Sequence, residues 1–264
     1  MQTPIPNKSL GQHWLNDITS LEAMLTAAEV AETDSILEIG PGPGALTELL
    51  VQSAAHVTAV EFDPALARDL PRRVSADNLH VVHHDILTFD LTTLTPDYKV
   101  AANIPYYLTS KLVRVLSEST NRPKICILLV QKEVARRLAA NPGDLSILGV
   151  TAQFYWEISL GPIVPAKLFT PPPKVDSQIV IMHRRDEPAR DLGADSDTFD
   201  VRGFFRVVKA GFGARRKTLL NSLSGGLHLS KDDTKALLDR AGIEPGLRAQ
   251  NLSLAEWYRL YISQ

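Results

Sequence analysis

Through its first two-thirds this chain alternates two kinds of segment, and that alternation limits the possible folds more than any other feature. Short apolar runs at Ser35–Ile39, Val57–Glu61, Leu79–His83, Lys99–Asn103 and Ile125–Gln131 read as strands. Between them Ala45–Ser53, Pro64–Val74 and Ser110–Ser117 read as helices, with Pro64 well placed at a helix start, and Lys132–Ala140 reads as the helix after the fifth strand. Runs that are apolar at nearly every position suit parallel strands covered on both faces. Alternating helices supply the crossovers that parallel strands need. The expectation is a doubly wound α/β sheet. Phe154–Val164 and Val175–His183 read as a closing antiparallel pair, separated by a stiff extended loop, Phe169-Thr170-Pro171-Pro172-Pro173-Lys174.

Beyond position 185 the pattern changes. Asp186–Ser196 is polar and holds Pro188 and Gly193, as a linker would. Only helical patterns follow: Phe199–Ala210, Arg216–Leu223, Lys231–Ala241 and Leu254–Ile262, with Ser230 and Ser253 as candidate N-caps of the last two. The expected organisation is a first domain over 1–185, a linker over 186–198 and a small all-helical domain over 199–264.

With 264 residues the chain can bury a sizeable core. No apolar run approaches membrane-spanning length, and the N-terminal residues lack the charged-then-apolar pattern of a signal peptide. Cys126 is the only cysteine, which excludes an internal disulfide and a cysteine-based zinc site. These features point to the cytoplasm, and nothing calls for more than a monomer. Formal net charge is −2, low for a nucleic-acid binder. The average hides an asymmetry. Asp186–Asp200 is acid-rich, whereas Val201–Ser230 has no acid and carries Arg202, Arg206, Lys209, Arg215, Arg216 and Lys217. Freedom from interleaved acids makes these six a candidate phosphate-facing surface.

Asn103-Ile104-Pro105-Tyr106 ends the fourth strand in a tight turn. Pro105 fixes its own φ and stiffens it. An Asn carbonyl and a backbone carbonyl give two convergent acceptors, and Tyr106 adds a flat face. Together they suit a planar ring with an exocyclic amine, such as adenine. At the end of the first strand lies Glu38-Ile39-Gly40-Pro41-Gly42-Pro43-Gly44-Ala45, where glycines allow a sharp turn and a close ligand approach. Glu61 ends the second strand about twenty residues on, where a carboxylate accepts ribose hydroxyls. Both features fit NAD or S-adenosylmethionine. Asp85, after the third strand, can accept from an adenine amine and favours the latter. Pro41 and Pro43 also remove N–H donors that a pyrophosphate would use. Glu38 is a candidate neighbour of a methionine ammonium group. His83 and His84 have no third ligand at metal spacing and read as surface residues, so no metal is expected.

Taken in order, Gly11-Gln12-His13-Trp14-Leu15-Asn16-Asp17, the Glu38–Ala45 turn, Glu61, Asp85, Asn103–Tyr106, Gln131-Lys132-Glu133-Val134, Phe169–Ser177, Arg215–Leu223 and Arg248–Ser253 resemble the ribosomal RNA adenine N6,N6-dimethyltransferases of the KsgA type. The likeness spans nearly the whole chain. It implies a Rossmann-like class I methyltransferase sheet with a helical C-terminal domain, S-adenosylmethionine as methyl donor and small-subunit ribosomal RNA in an assembling particle as partner. The target it implies is a pair of adjacent adenosines in a hairpin near the 3′ end. It brings Gln12, His13 and Leu15 to the cofactor, with Gly40, Gly42, Glu61, Asp85 and Asn103 as further contacts. Asn103 and Pro105 become the acceptors, and Tyr106 and Phe169 the two sides of a base clamp. His13 and Tyr107 each stand where the family often has Asn. Erm-type enzymes, which methylate large-subunit RNA, share the catalytic pattern and are the alternative. A ribosome-assembly factor without activity is a further one.

Overall fold

A computed structural model describes residues 4–7, 10–194, 199–214 and 216–264. In chain order the first half comprises β1 (Trp14–Leu15), α1 (Ile18–Ala27), β2 (Ser35–Ile39), α2 (Ala45–Ser53), β3 (His56–Glu61), α3 (Pro64–Arg73), β4 (Leu79–His83), β5 (Lys99–Asn103), α4 (Thr109–Glu118), β6 (Ile125–Gln131) and α5 (Lys132–Leu138). Then come α6 (Ile147–Tyr155), β7 (Trp156–Val164), β8 (Phe169–Thr170), β9 (Ser177–Arg184), α7 (Val201–Phe212), α8 (Leu219–Leu227), α9 (Lys231–Ala241) and α10 (Leu254–Ile262).

Seven strands form one sheet in the order β4-β3-β2-β5-β6-β9-β7. The first five are parallel to their neighbours, and β9 runs antiparallel to β6. Central position shows in composition: β6 buries Ile125 to Val130 without a break, whereas the edge strand β4 leaves His80 and His83 exposed. The chain winds outward from β2 through β3 to β4, then returns to lay β5 on the other side of β2. That reversal opens a crevice between the carboxyl ends of β2 and β5, the place where open α/β sheets take ligands.

The chain divides into two compact units, Met1–Ala135 with Glu157–Arg184, and Arg136–Trp156 with Arg185–Gln264. The sequence puts everything before position 186 in the first domain, so Arg136–Trp156 departs from that division. The cause is α6. Its Val150 and Phe154 are buried in a core with Phe204, Val207 and Val208 of α7 and with Trp257 and Leu260 of α10. Phe154 stacks on Phe204 at 5.4 Å between ring centroids. The first unit has its own core, in which Leu15, Leu21, Met24, Leu50 and Ile127 are buried together. The second closes by intimate helix packing: a Cβ at Gly226 of α8 would lie 2.6 Å from Ala210 Cβ of α7.

Two helices carry the caps read from sequence, and Asp63 adds a third. Asp63 Oδ1 accepts from the N–H of Ala65, with Pro64 in the first turn of α3. Ser230 Oγ accepts from the Asp233 N–H, and Ser253 with Glu256 forms a reciprocal capping box. No helix among the described residues is long and apolar enough to cross a membrane.

Candidate active site

A cavity of about 330 Å³ opens at the β2–β5 reversal, lined by the turns after β2, β3, β4 and β5 and by Leu10–Leu15. Gly40, Gly42 and Gly44 all have positive φ, at +66°, +58° and +102°. At Gly42 a Cβ would also sit 3.3 Å from Trp14 Nε1. Torsion thus disfavours a side chain at all three glycines, and at Gly42 the Trp14 ring crowds the space as well.

Glu61 is 5 % exposed and braces this turn: Oε2 accepts from Gly42 N–H at 3.1 Å, and Oε1 from Asp63 N–H at 2.8 Å. Each carboxylate oxygen keeps a lone pair for a hydroxyl. Burial raises its pKa above the usual carboxylate range, and the main-chain bonds offset part of that. Glu38, at the end of β2, is 2 % exposed, and its Oε2 has no hydrogen-bond partner. Burial pushes its pKa up to about 8; the Thr47 hydroxyl opposes this and the charge of Glu61 adds to it. An orphaned carboxyl oxygen on a cavity wall suits a ligand that brings its own donor. Asp85 Oδ1 accepts from Leu87 N–H at 2.9 Å, which holds the turn after β4 against the cavity.

The residues before β1 form a strap along the same cavity. Gln12 Oε1 accepts from Asn7 N–H at 2.7 Å. Trp14 and Leu15 pair antiparallel with Thr170 and Phe169. The His13 ring stacks on Tyr106, with centroids 6.0 Å apart and planes 20° apart, and its Nδ1 lies 2.7 Å from the Pro171 carbonyl. Asn103 Nδ2 donates to the His13 carbonyl at 3.3 Å. With its N–H used in this way, the Oδ1 of Asn103 is the atom left as acceptor. Tyr106 is anchored through its hydroxyl, 2.8 Å from Ser177 Oγ, and burial raises its pKa.

Gln12, His13, Leu15, Glu38, Gly40, Gly42, Glu61, Asp85, Asn103, Pro105 and Tyr106 all line this one cavity. Two of the expected site residues have other contacts in this arrangement. Phe169 is only 3 % exposed and belongs to the core around Leu15, so in this arrangement it does not face Tyr106; His13 does. The Pro105 carbonyl accepts the Leu108 N–H at 3.0 Å, closing the turn, and keeps its second lone pair; no donor among the described residues reaches the Ile104 carbonyl. The basic residues lie in the second unit: Arg202, Arg206 and Lys209 are exposed along α7, Arg216 and Lys217 are exposed after it, and Arg215 lies outside the described residues. Sequence reasoning gave no role to Trp14, Phe62, Lys111 or Ser177. Phe62, 57 % exposed on the cavity wall just after Glu61, had a legible signal, a large apolar residue at a strand end. Among the described residues no group of three His, Cys, Asp or Glu side chains is placed to hold a metal ion.

Known proteins resemble this chain over nearly its whole length. The family model described as ribosomal RNA adenine dimethylase matches residues 6–264. A relative in Dehalococcoides mccartyi named ribosomal RNA small subunit methyltransferase A is 42 % identical over 257 residues, 96 % of this chain and 86 % of that protein. One of the same name in Clostridioides difficile is 38 % identical over 260 residues, 95 % of this chain and 88 % of that one. Among solved structures, a dimethyladenosine transferase from Plasmodium falciparum aligns with TM-score 0.77 at 25 % identity, over 94 % of this chain and 96 % of its own. The 23S rRNA methyltransferase ErmE aligns with TM-score 0.73 at 28 % identity, over 95 % and 98 %.

Proposed function

The chain belongs to the ribosomal RNA adenine dimethylase family and is a methyltransferase; from that premise we propose that it places two methyl groups on N6 of adenosines in small-subunit ribosomal RNA. The observation that carries the reading is the turn at Asn103–Tyr106, set in the same cavity as the glycine turn, Glu61 and Asp85. S-adenosylmethionine, the methyl donor of this reading, supplies an activated methyl group. The residues fit it: Glu38 offers the unpartnered oxygen to an ammonium, Glu61 its free lone pairs to a ribose, and Asp85 its second oxygen to an adenine amine.

No protein nucleophile is required. The difficulty lies in the adenine amine, whose lone pair is delocalised into the ring. Asn103 Oδ1 and a carbonyl of the Ile104–Pro105 turn accept its two N–H groups, which favours a pyramidal nitrogen aimed at the methyl group. That is positioning joined to electrostatic stabilisation. Tyr106 offers its face to the base, and stacking of this kind is worth roughly 1–3 kcal/mol. Phe169 can take the opposite side only if the β1–β8 ribbon turns it out of the core. The proton leaves after transfer, so no general base is needed beforehand.

The exposed cations of α7 and the segment after it are assigned to the RNA phosphates. We place the reaction in the cytoplasm, with a monomeric enzyme acting on an assembling particle.

Large-subunit methylation is the second reading, favoured by the ErmE likeness. The small-subunit names of relatives at 38–42 % identity weigh against it. Labelled methyl transfer to separated, unmodified small and large subunits decides. Dimethyladenosine in the small subunit alone is expected. Label confined to the large subunit would move the assignment, and no label with donor bound would leave an assembly role.

A further inference from the structure

Tyr107 follows the anchored Tyr106 yet is 66 % exposed, at the rim of the same cavity. A large aromatic side chain left this open is informative only if something suits its face. One edge of its ring meets the strap: a Cβ built at Gly11 would lie 3.5 Å from Tyr107 Cε1 and 3.6 Å from Cδ1. Lys111, four residues on at the start of α4, is exposed, lines the same rim and makes no ion pair among the described residues. The next cation along α4 behaves differently, since Arg114 is held by Glu118 at 2.9 Å. An exposed aromatic ring and an unpaired cation on one cavity rim match the two parts of one nucleotide, a base face and a phosphate. When the target adenine leaves its stack, the base beside it loses a partner on one face. An aromatic at the cavity rim can cover that face.

We propose that Tyr107 and Lys111 form a subsite for the nucleotide flanking the target adenosine, Tyr107 stacking on its base and Lys111 meeting its phosphate. This rests on the RNA-methylating reading above. The subsite is specificity-determining rather than catalytic, because neither residue needs to touch the reacting atoms.

The test uses the full chain and unmodified small ribosomal subunits, with KM and kcat for the particle and Kd for S-adenosylmethionine measured on each variant. Tyr107→Ala should raise KM for the particle about 5-fold or more, as loss of one base–aromatic stack does, with kcat and donor Kd within 2-fold of wild type. Tyr107→Phe keeps the ring and should restore KM. Lys111→Gln should raise KM and lessen its rise with salt. Unchanged KM in Tyr107→Ala overturns the proposal. So does a loss of donor affinity at constant KM, which would make Tyr107 only a brace for the strap. A wild-type enzyme that transfers nothing to either subunit removes the underlying reading at the first step, before any variant is measured.

Discussion

Asn103 is aimed by a backbone. Its amide donates to the His13 carbonyl, so the orientation of the acceptor depends on a residue 90 positions away. Asn103→Ala removes the acceptor but none of the side chains assigned to the donor's ribose and adenine. Turnover should fall by roughly 10²–10³-fold, the scale of one preorganised electrostatic interaction, with S-adenosylmethionine affinity nearly unchanged. Stopped assays alongside equilibrium dialysis check both halves, and a near-normal rate would sink the acceptor role. Glu38 carries a second prediction at this scale. Its pKa rises from an ordinary 4.5 to about 8 in the fold. Between those values the folded state holds a proton that the unfolded chain has released, so stability falls as pH rises. Glu38→Gln should flatten that fall by up to ~1.4 kcal/mol per pH unit. Glu61, raised in the same sense, keeps a residual slope. Urea midpoints from pH 5 to 8 measure it, and an unaltered slope would mean that Glu38 is ionised in the fold.

At the scale of elements, Lys99 is the fastening of β5. It is 7 % exposed, pairs with Asp34 at 2.8 Å and donates to the Glu29 carbonyl, tying the strand to the chain that leads into β2. Lys99→Ala strands a partly covered carboxylate and should cost about 2–3 kcal/mol, somewhat below the figure for a fully buried pair. Adding Asp34→Asn should recover part of it in chemical denaturation; a double variant as weak as the single would show that the missing packing matters more than the charge. Much at this scale was legible. The bounds of β2, β4, β5, β6, α2, α9 and α10 follow from apolar period and caps alone, because local preference and burial agree there. Two features were not. The apolar run from Ile147 continues straight into β7, and period cannot separate a buried helix from a buried strand, so Phe154 and Tyr155 read as strand though they end α6. The side chain of Phe169 is set by a ribbon of two residue pairs. Opposed residues share a face, and pairing with Leu15 puts both inward. A slip of one residue would reverse that, and motif spacing holds no record of register.

Taken as a whole, the molecule keeps its basic stretch apart from its acids in sequence. The total of −2 says little about affinity for RNA, because the exposed row of Arg202, Arg206 and Lys209 on α7 presents one sign of charge. Replacing these three with Gln should weaken particle binding and reduce the slope of log affinity against log salt by roughly 0.7–0.9 for every phosphate no longer neutralised. Donor affinity should not change, and an identical salt slope would mark the row as a solvated face. The strap has a consequence for timing. Residues Gly11–Leu15 line the cavity, aim Asn103 and touch Tyr107, and a two-pair ladder, one histidine hydrogen bond and the buried Leu15 hold them in place. Two methyl groups need two donor molecules in succession. A replacement that displaced this segment would loosen the grip on the base between the two transfers. Monomethylated adenosine should therefore escape and return, and a chase with unlabelled RNA would catch it between visits.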